Sequence, residues 1–129
     1  MGTIKRFEDL EDWQLARELS KKIYKITSTE KFYHEPSLKH VLRKTIGSVM
    51  DNPSEGFERG GNKEFIQFMA YSKGSCGELR SQVYRAYDAK YITESEFKEL
   101  LTDSETISRK SSSLINYLKS TDIKGLKYK

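Results

Sequence analysis

Apolar residues recur every three or four positions along most of the chain, which is the spacing of one face of an α-helix. Four such stretches are separated by short polar or glycine-containing segments. The first stretch predicts a helix from Asp9 to Ser28, with acidic residues at its start and lysines near its end, as the helix dipole favours. Its apolar stripe comprises Leu10, Trp13, Ala16, Leu19, Ile23 and Ile26.

The second stretch predicts a helix from Pro36 to about Phe57. Proline suits the first turn of a helix, because the N–H that it lacks has no helical partner there. Pro53 falls inside the same pattern, where its ring clashes with the carbonyl group of Val49 and removes one backbone hydrogen bond. We therefore expect a kink or an early end of this helix at Pro53, followed by a glycine-containing turn.

Two further stretches complete the pattern. The third predicts a helix from about Asn62 to Lys90, with Asn62 as its N-cap, and the fourth begins with the capping box Thr93-x-x-Glu96. Four amphipathic helices with short connections predict an all-α fold, an antiparallel up-down-up-down four-helix bundle. We assign residues 1–120 to a single domain and residues 121–129 to a basic tail that we expect to be disordered.

Composition narrows the class of protein only a little. The chain has 129 residues and a net charge of +4, from 23 basic and 19 acidic side chains, an excess that permits but does not require contact with nucleic acid. A single cysteine, Cys76, excludes an intrachain disulfide. The sequence has neither a secretory signal nor a run of about 20 apolar residues, so we expect a cytoplasmic protein that does not associate with membranes.

Chemistry-bearing residues are sparse. Glu55 and Glu78 could act as an acid–base pair if they faced each other, or they could accept hydrogen bonds inside the fold. Candidate partners for the second role are Arg43, Arg59 and Arg80. Two histidines and one cysteine do not form a standard metal-ligand set, and the phosphate-loop pattern Gly-x-x-x-x-Gly-Lys is absent. We therefore predict no catalysis, no cofactor and no metal.

Two short motifs place small residues and a carboxylate inside predicted helices. Residues 52–60 read Asn-Pro-Ser-Glu-Gly-Phe-Glu-Arg-Gly, and residues 74–79 read Gly-Ser-Cys-Gly-Glu-Leu. Glycine costs a helix about 1 kcal/mol relative to alanine, so these positions need an explanation. Close helix packing and a binding site both provide one. We assign to helix packing or a subunit interface the residues Glu55, Arg59, Gly74, Ser75 and Glu78.

Basic residues cluster on the second and third helices. Lys39 and Arg43 lie four residues apart, and Lys73 and Arg80 lie seven apart, so each pair shares a helix face. Tyrosines and Arg85 follow near the end of the third helix. Such residues contact phosphates and stack on bases, although a solvated face with ordinary ion pairs is the alternative for any single residue. The candidate nucleic-acid-binding residues are Lys39, Arg43, Lys44, Lys73 and Arg80.

Further motifs occur along nearly the whole chain. They are Phe7-x-x-Leu10-x-x-Trp13-x-x-Ala16, Tyr24, Arg43-Lys44, Ser48 with Asn52, Glu55-Gly56, Arg59, Glu64-Phe65, Gly74-Ser75 and Glu78-Leu79. Together and in this order, they resemble a known family, the four-helix bundle proteins encoded in intervening sequences of bacterial 23S ribosomal RNA genes. Two motifs depart from the family pattern, with Pro53-Ser54 in place of Ile-Ala and Lys44-Thr45 in place of Arg-Ala.

The resemblance implies a bundle that assembles into a ring, a homopentamer. Accessory proteins of diversity-generating retroelements are similar to this family, and they form a basic barrel that binds nucleic acid and a reverse transcriptase. We therefore predict a non-catalytic oligomer that binds RNA or DNA, or a nucleic-acid enzyme such as a reverse transcriptase. A protein-interaction scaffold without a nucleic-acid role is the alternative, and an enzyme that uses Glu55 and Glu78 is a third hypothesis.

Overall fold

Helices make up all the regular secondary structure in the computed structural model, which describes residues 4–121. Two 3-10 helices, Phe7–Asp9 and Glu30–His34, precede the first and second α-helices. The α-helices are α1 (Glu11–Thr27), α2 (Pro36–Arg59), α3 (Asn62–Asp88) and α4 (Glu94–Lys119). The prediction of an all-α fold with four helices is confirmed. The predicted disordered tail lies, from residue 122 onward, outside the described residues.

The core lies between the four helices in two clusters of buried side chains. The larger cluster fills the middle of the bundle with aliphatic residues from every helix, including Leu19, Ile46, Leu79 and Ile107. The smaller cluster lies where α2 ends and α4 ends, and Phe57 and Phe65 meet there edge to face at 5.9 Å. Burying one such side chain contributes about 1.5–3 kcal/mol, so these clusters provide the main driving force for folding. Within the described range, no helix is long and apolar enough to cross a bilayer.

Pro53 does not end α2, which continues to Arg59. The expected early end is therefore wrong. The missing amide of Pro53 leaves the carbonyl group of Val49 without its helical partner. The hydroxyl group of Ser72 on α3 donates a hydrogen bond to that carbonyl at 2.8 Å, and the helix continues beyond the proline.

Two helix termini follow local sequence rules, and the start of α3 differs from its prediction. Gly60 ends α2 with a φ of 89°, a left-handed conformation that favours glycine. The capping box at the start of α4 is confirmed, with the Thr93 hydroxyl and the Glu96 carboxylate each accepting a backbone N–H. The predicted N-cap of α3 is wrong, because Gly61 is the N-cap. Asn62 lies inside the helix, and its amide donates to the carbonyl of Leu118 at 3.1 Å.

Candidate nucleic-acid interface

Arg43 is held against the end of α1. Its Nε donates to the hydroxyl of Thr27 at 2.9 Å, and its Nη2 donates to the hydroxyl of Ser28 at 3.1 Å. The guanidinium also lies over the ring of Tyr24, 4.4 Å from the centroid. Because the last carbonyl groups of a helix lack amide partners, a cation at this end of α1 is stabilising. Arg43 therefore connects α2 to α1, and its donors are largely occupied.

Two lysines of α2, Lys39 and Lys44, lie close to Arg43 in the sequence. Lys44 is exposed and Lys39 is half-buried. Within residues 4–121, neither lysine forms an ion pair, although lysines on α1 and α4 do so repeatedly. Both ammonium groups of α2 are therefore available to an external anion.

Lys73 and Arg80 lie on a different side of the bundle from Arg43. Arg80 faces α4 across a shallow hollow of about 230 Å³, which it lines together with Glu105, Ser108 and Arg109. Lys73 lies two turns earlier on α3 and is exposed. The five cations predicted to bind nucleic acid do not form one patch, because Arg43 faces α1 and Arg80 faces α4.

Ser75 lies in the contact between α2 and α3. Its hydroxyl lies 2.8 Å from that of Ser48, and the Asn52 side chain donates to the Ser48 hydroxyl at 2.9 Å. This small polar network occupies the centre of the helix pair. Ser75 thus packs between helices of the same chain.

Arg59 has two carboxylate partners at the end of α2. Its guanidinium nitrogens lie 3.6 Å from Glu55 and 3.3 Å from Glu64, and the group covers the ring of Phe68 at 5.2 Å. All three charged side chains are about half exposed. Such exposed pairs contribute little to the free energy of folding, about 0–1 kcal/mol each.

The glycines of the two motifs differ in their surroundings. A Cβ added at Gly56 would lie 2.6 Å from the Cβ of Phe68, so α2 and α3 approach closely at that glycine. A Cβ at Gly47, Gly74 or Gly77 would meet nothing within 4 Å in the described structure. Close packing inside the chain therefore explains Gly56, and it does not explain Gly74 or Gly77.

Glu55 and Glu78 do not converge. Ser48 of α2 lies beside Ser75 of α3, and the two glutamates lie beyond this point in opposite directions along the bundle. The separation along the axis is about ten residues, or about 15 Å at 1.5 Å per residue. Both side chains are exposed. No group of three His, Cys, Asp or Glu side chains in the described range forms a metal-binding arrangement.

Two buried side chains, Cys76 and Asp12, have titratable groups. Burial raises the pKa of the Cys76 thiol to about 11, and the thiol donates to the carbonyl of Ser104 at 3.0 Å. Burial likewise raises the pKa of Asp12, partly offset by the hydrogen bond that Ser111 donates to its carboxylate at 2.6 Å. Asp12 was not predicted as a core residue. The sequence did contain a signal for its burial, because Asp12 lies four residues before Ala16 and therefore on the apolar stripe of α1.

Comparison with known proteins gives the same family as the sequence motifs. A family model described as 23S rRNA-intervening sequence protein matches residues 8–113. Comparison with curated proteins gave no match. A crystal structure of a protein of unknown function from the S23 ribosomal protein family of Bacteroides thetaiotaomicron is similar, with a TM-score of 0.73 and 16% sequence identity. The alignment covers 81% of this chain and 97% of that one, and at this identity it supports the fold only.

Proposed function

The chain belongs to the family of 23S rRNA-intervening sequence proteins, and from this premise we propose that it is a non-catalytic accessory protein that binds nucleic acid. The observation that carries the proposal is a set of cations on α2 and α3 that have no carboxylate partner among the described residues. A phosphate backbone provides the missing negative charge, and the release of its counterions favours binding. The cations are Lys39, Lys44, Lys73 and Arg80.

We also propose that the helices run up-down-up-down and that the bundles assemble into a ring of five. Three contacts between helices support the up-down-up-down course. Ser48 of α2 contacts Ser75 of α3, and Val49 contacts Ser72. Lys22 of α1 pairs with Asp103 of α4. Support for assembly comes from Gly47 and Gly74, whose open surroundings leave room for the backbone of another subunit. The number five rests on the family resemblance. A ring would repeat the cations of α2 and α3 around one axis.

The test is the affinity of the purified oligomer for single-stranded RNA, duplex RNA and duplex DNA at low salt, measured by fluorescence anisotropy. We expect Lys44→Ala/Lys73→Ala to weaken binding of all three. The matched control is Lys21→Ala/Lys110→Ala, which removes two lysines that are already paired with Glu18 and Glu11. Equal weakening by both variants would mean that only net charge matters and would contradict the assignment to α2 and α3.

A second candidate function is a protein-interaction scaffold in the cytoplasm. It is favoured by Tyr71, which is half exposed on α3 close to the open position of Gly74. A reverse transcriptase, the partner implied by similarity to retroelement accessory proteins, would be compatible with either function. Failure of the intact oligomer to bind any of the three nucleic acids at low salt would favour the scaffold.

A further inference from the structure

The hollow between α3 and α4 brings together two guanidinium groups. Arg80 forms no hydrogen bond or ion pair within the described part of the chain, and Arg109 donates only to the Thr106 hydroxyl, at 3.3 Å. The hydroxyl of Ser108 and the carboxylate of Glu105 complete the lining. With two positive charges and one negative charge, the hollow attracts an anion of one charge, such as a phosphodiester.

An aromatic platform lies further along α3 and α4, outside the lining of the hollow, and it consists of Tyr84 on α3 and Phe97 on α4. The ring of Tyr84 is 52% exposed and meets the ring of Phe97 edge to face at 5.2 Å. Phe97 stacks in turn on Tyr87, with the ring centroids 4.1 Å apart. Because these contacts fix Tyr84 in position, little conformational entropy would be lost when a planar ligand stacks on its exposed part.

The two features follow one another along α3 and α4, as phosphates and rings do along a polymer strand. Arg80 and Tyr84 are four residues apart on α3, which is about 6 Å along the helix axis, and Phe97 and Glu105 are eight residues apart on α4, which is about 12 Å. Gly77 precedes Arg80 on the same face, and outside its own stretch of α3 no described atom lies within 4 Å of the position that its Cβ would occupy. The groove is therefore open where a strand would enter it.

We propose that this α3–α4 groove binds a single strand of nucleic acid, with a phosphate between Arg80 and Arg109 and an unpaired base on Tyr84. This inference rests on the proposed function and specifies its ligand. Bases in a duplex are stacked inside the helix and cannot reach Tyr84, so the groove selects unpaired strands. The site is separate from Lys39 and Lys44, which lie on α2 and bind backbones of either kind.

The experiment compares binding of a short single-stranded RNA and of the same sequence as a duplex to the wild-type oligomer and its variants. Tyr84→Leu should weaken single-strand binding by about 5- to 150-fold, the range of one lost base stack. The duplex affinity should not change. Tyr33→Leu is the control, because Tyr33 is an exposed tyrosine of the second 3-10 helix, outside the groove. Tyr84→Phe should restore binding, because phenylalanine keeps the stacking ring.

The guanidinium groups are tested separately. Arg80→Gln/Arg109→Gln should lower the slope of log affinity against log salt for the single strand by about 0.7, the value for the loss of the one phosphate that lies between the two arginines. The control Lys63→Gln/Lys119→Gln removes two exposed lysines of α3 and α4 outside the groove and should leave the slope unchanged. Circular dichroism and light scattering verify that each variant is folded and assembled.

A readout on the wild-type protein keeps the inference testable if Tyr84→Leu fails to fold. An RNA that contains 2-aminopurine should lose fluorescence on binding when that base stacks on Tyr84. Normal nucleic-acid binding with no quenching, or with equal effects of Tyr84→Leu and Tyr33→Leu, would overturn the groove and leave the proposed function standing. Absence of all nucleic-acid binding would instead overturn the proposed function.

Discussion

Ser72 of α3 donates a buried hydrogen bond to the carbonyl oxygen of Val49 of α2, at 2.8 Å. In an uninterrupted helix that carbonyl would accept from the amide of residue 53, which is proline. One hydroxyl group thus both satisfies the carbonyl and connects the two helices. A proline inside a buried helix is tolerated here because its defect is repaired from the neighbouring helix.

The first prediction concerns this repair. Ser72→Ala should lower the free energy of unfolding by about 1–3 kcal/mol, because it leaves the buried carbonyl of Val49 unsatisfied. In a Pro53→Ala background, the restored amide of residue 53 donates a hydrogen bond to that carbonyl. Ser72→Ala should therefore lower the free energy of unfolding much less in that background. Urea denaturation of the two single variants and the double variant measures this coupling. Additive effects would show that Ser72 does not compensate for Pro53.

The second prediction concerns the glycine at the closest approach of α2 and α3. Gly56→Ala should be destabilising by about 1–3 kcal/mol, because its methyl group would overlap the Cβ of Phe68. Gly77→Ala is the control, since it adds the same methyl group where space is open. The control should stabilise the protein by about 0.5–1 kcal/mol through the higher helix propensity of alanine. Thermal unfolding curves for the two variants should therefore shift in opposite directions, and equal shifts would contradict the close approach.

The third prediction is a pH dependence of stability that depends on Asp12. Burial raises its pKa in the folded protein above the ordinary value of 3.8, so the folded state holds this proton more tightly than the unfolded state. The free energy of unfolding should therefore contain a contribution that is fully present below about pH 4 and is lost as pH rises through the raised pKa. Asp12→Asn keeps an acceptor for Ser111 and should remove this loss.

Urea denaturation from about pH 3 to about pH 7 measures the effect. The advantage of Asp12→Asn over wild type should be absent at the acidic end and grow as the pH increases. Asp51→Asn, which changes an exposed aspartate of α2, is the control and should follow the wild-type curve. A curve for Asp12→Asn parallel to wild type would show that Asp12 does not contribute this loss.

The fourth prediction separates two adjacent basic residues. Arg43→Ala should lower the melting temperature, because it removes the contacts with Thr27, Ser28 and Tyr24 that hold α2 against the end of α1. Arg43→Lys should not restore stability, since an ammonium group cannot reproduce this planar geometry. Lys44→Ala should leave the melting temperature unchanged and weaken nucleic-acid binding. An unchanged melting temperature for Arg43→Ala together with a lower one for Lys44→Ala would contradict the roles described for the two residues.

The helices could be predicted from the sequence because their signals are local. Apolar spacing locates all four, and the capping box Thr93-x-x-Glu96 depends on residues three positions apart. The continuation of α2 beyond Pro53 could not be predicted, because the compensating hydroxyl belongs to Ser72 on another helix. Local rules predict that the proline removes a backbone hydrogen bond. Only the packing of α2 on α3 shows which hydrogen bond replaces it.

The candidate site was less predictable for the same reason. Periodicity identified Arg43 and Arg80 as helix-surface cations, but the rotation of each helix in the bundle decides which neighbour each one faces. Likewise, the sequence indicated that glycines mark a close contact without showing that the contact is at Gly56. Arg109 carries no motif at all, and only its position opposite Arg80 distinguishes it from other exposed arginines.

The salt dependence of nucleic-acid affinity tests the central claim most directly. Dissociation constants of the wild-type oligomer for RNA are measured over a series of salt concentrations, while light scattering confirms its assembly in the same buffers. The account predicts a steep linear fall of log affinity with log salt, and a single-strand slope that decreases by about 1.4 in Lys44→Ala/Lys73→Ala. An intact oligomer that fails to bind RNA at low salt, or whose slope is the same in the variant, would contradict it.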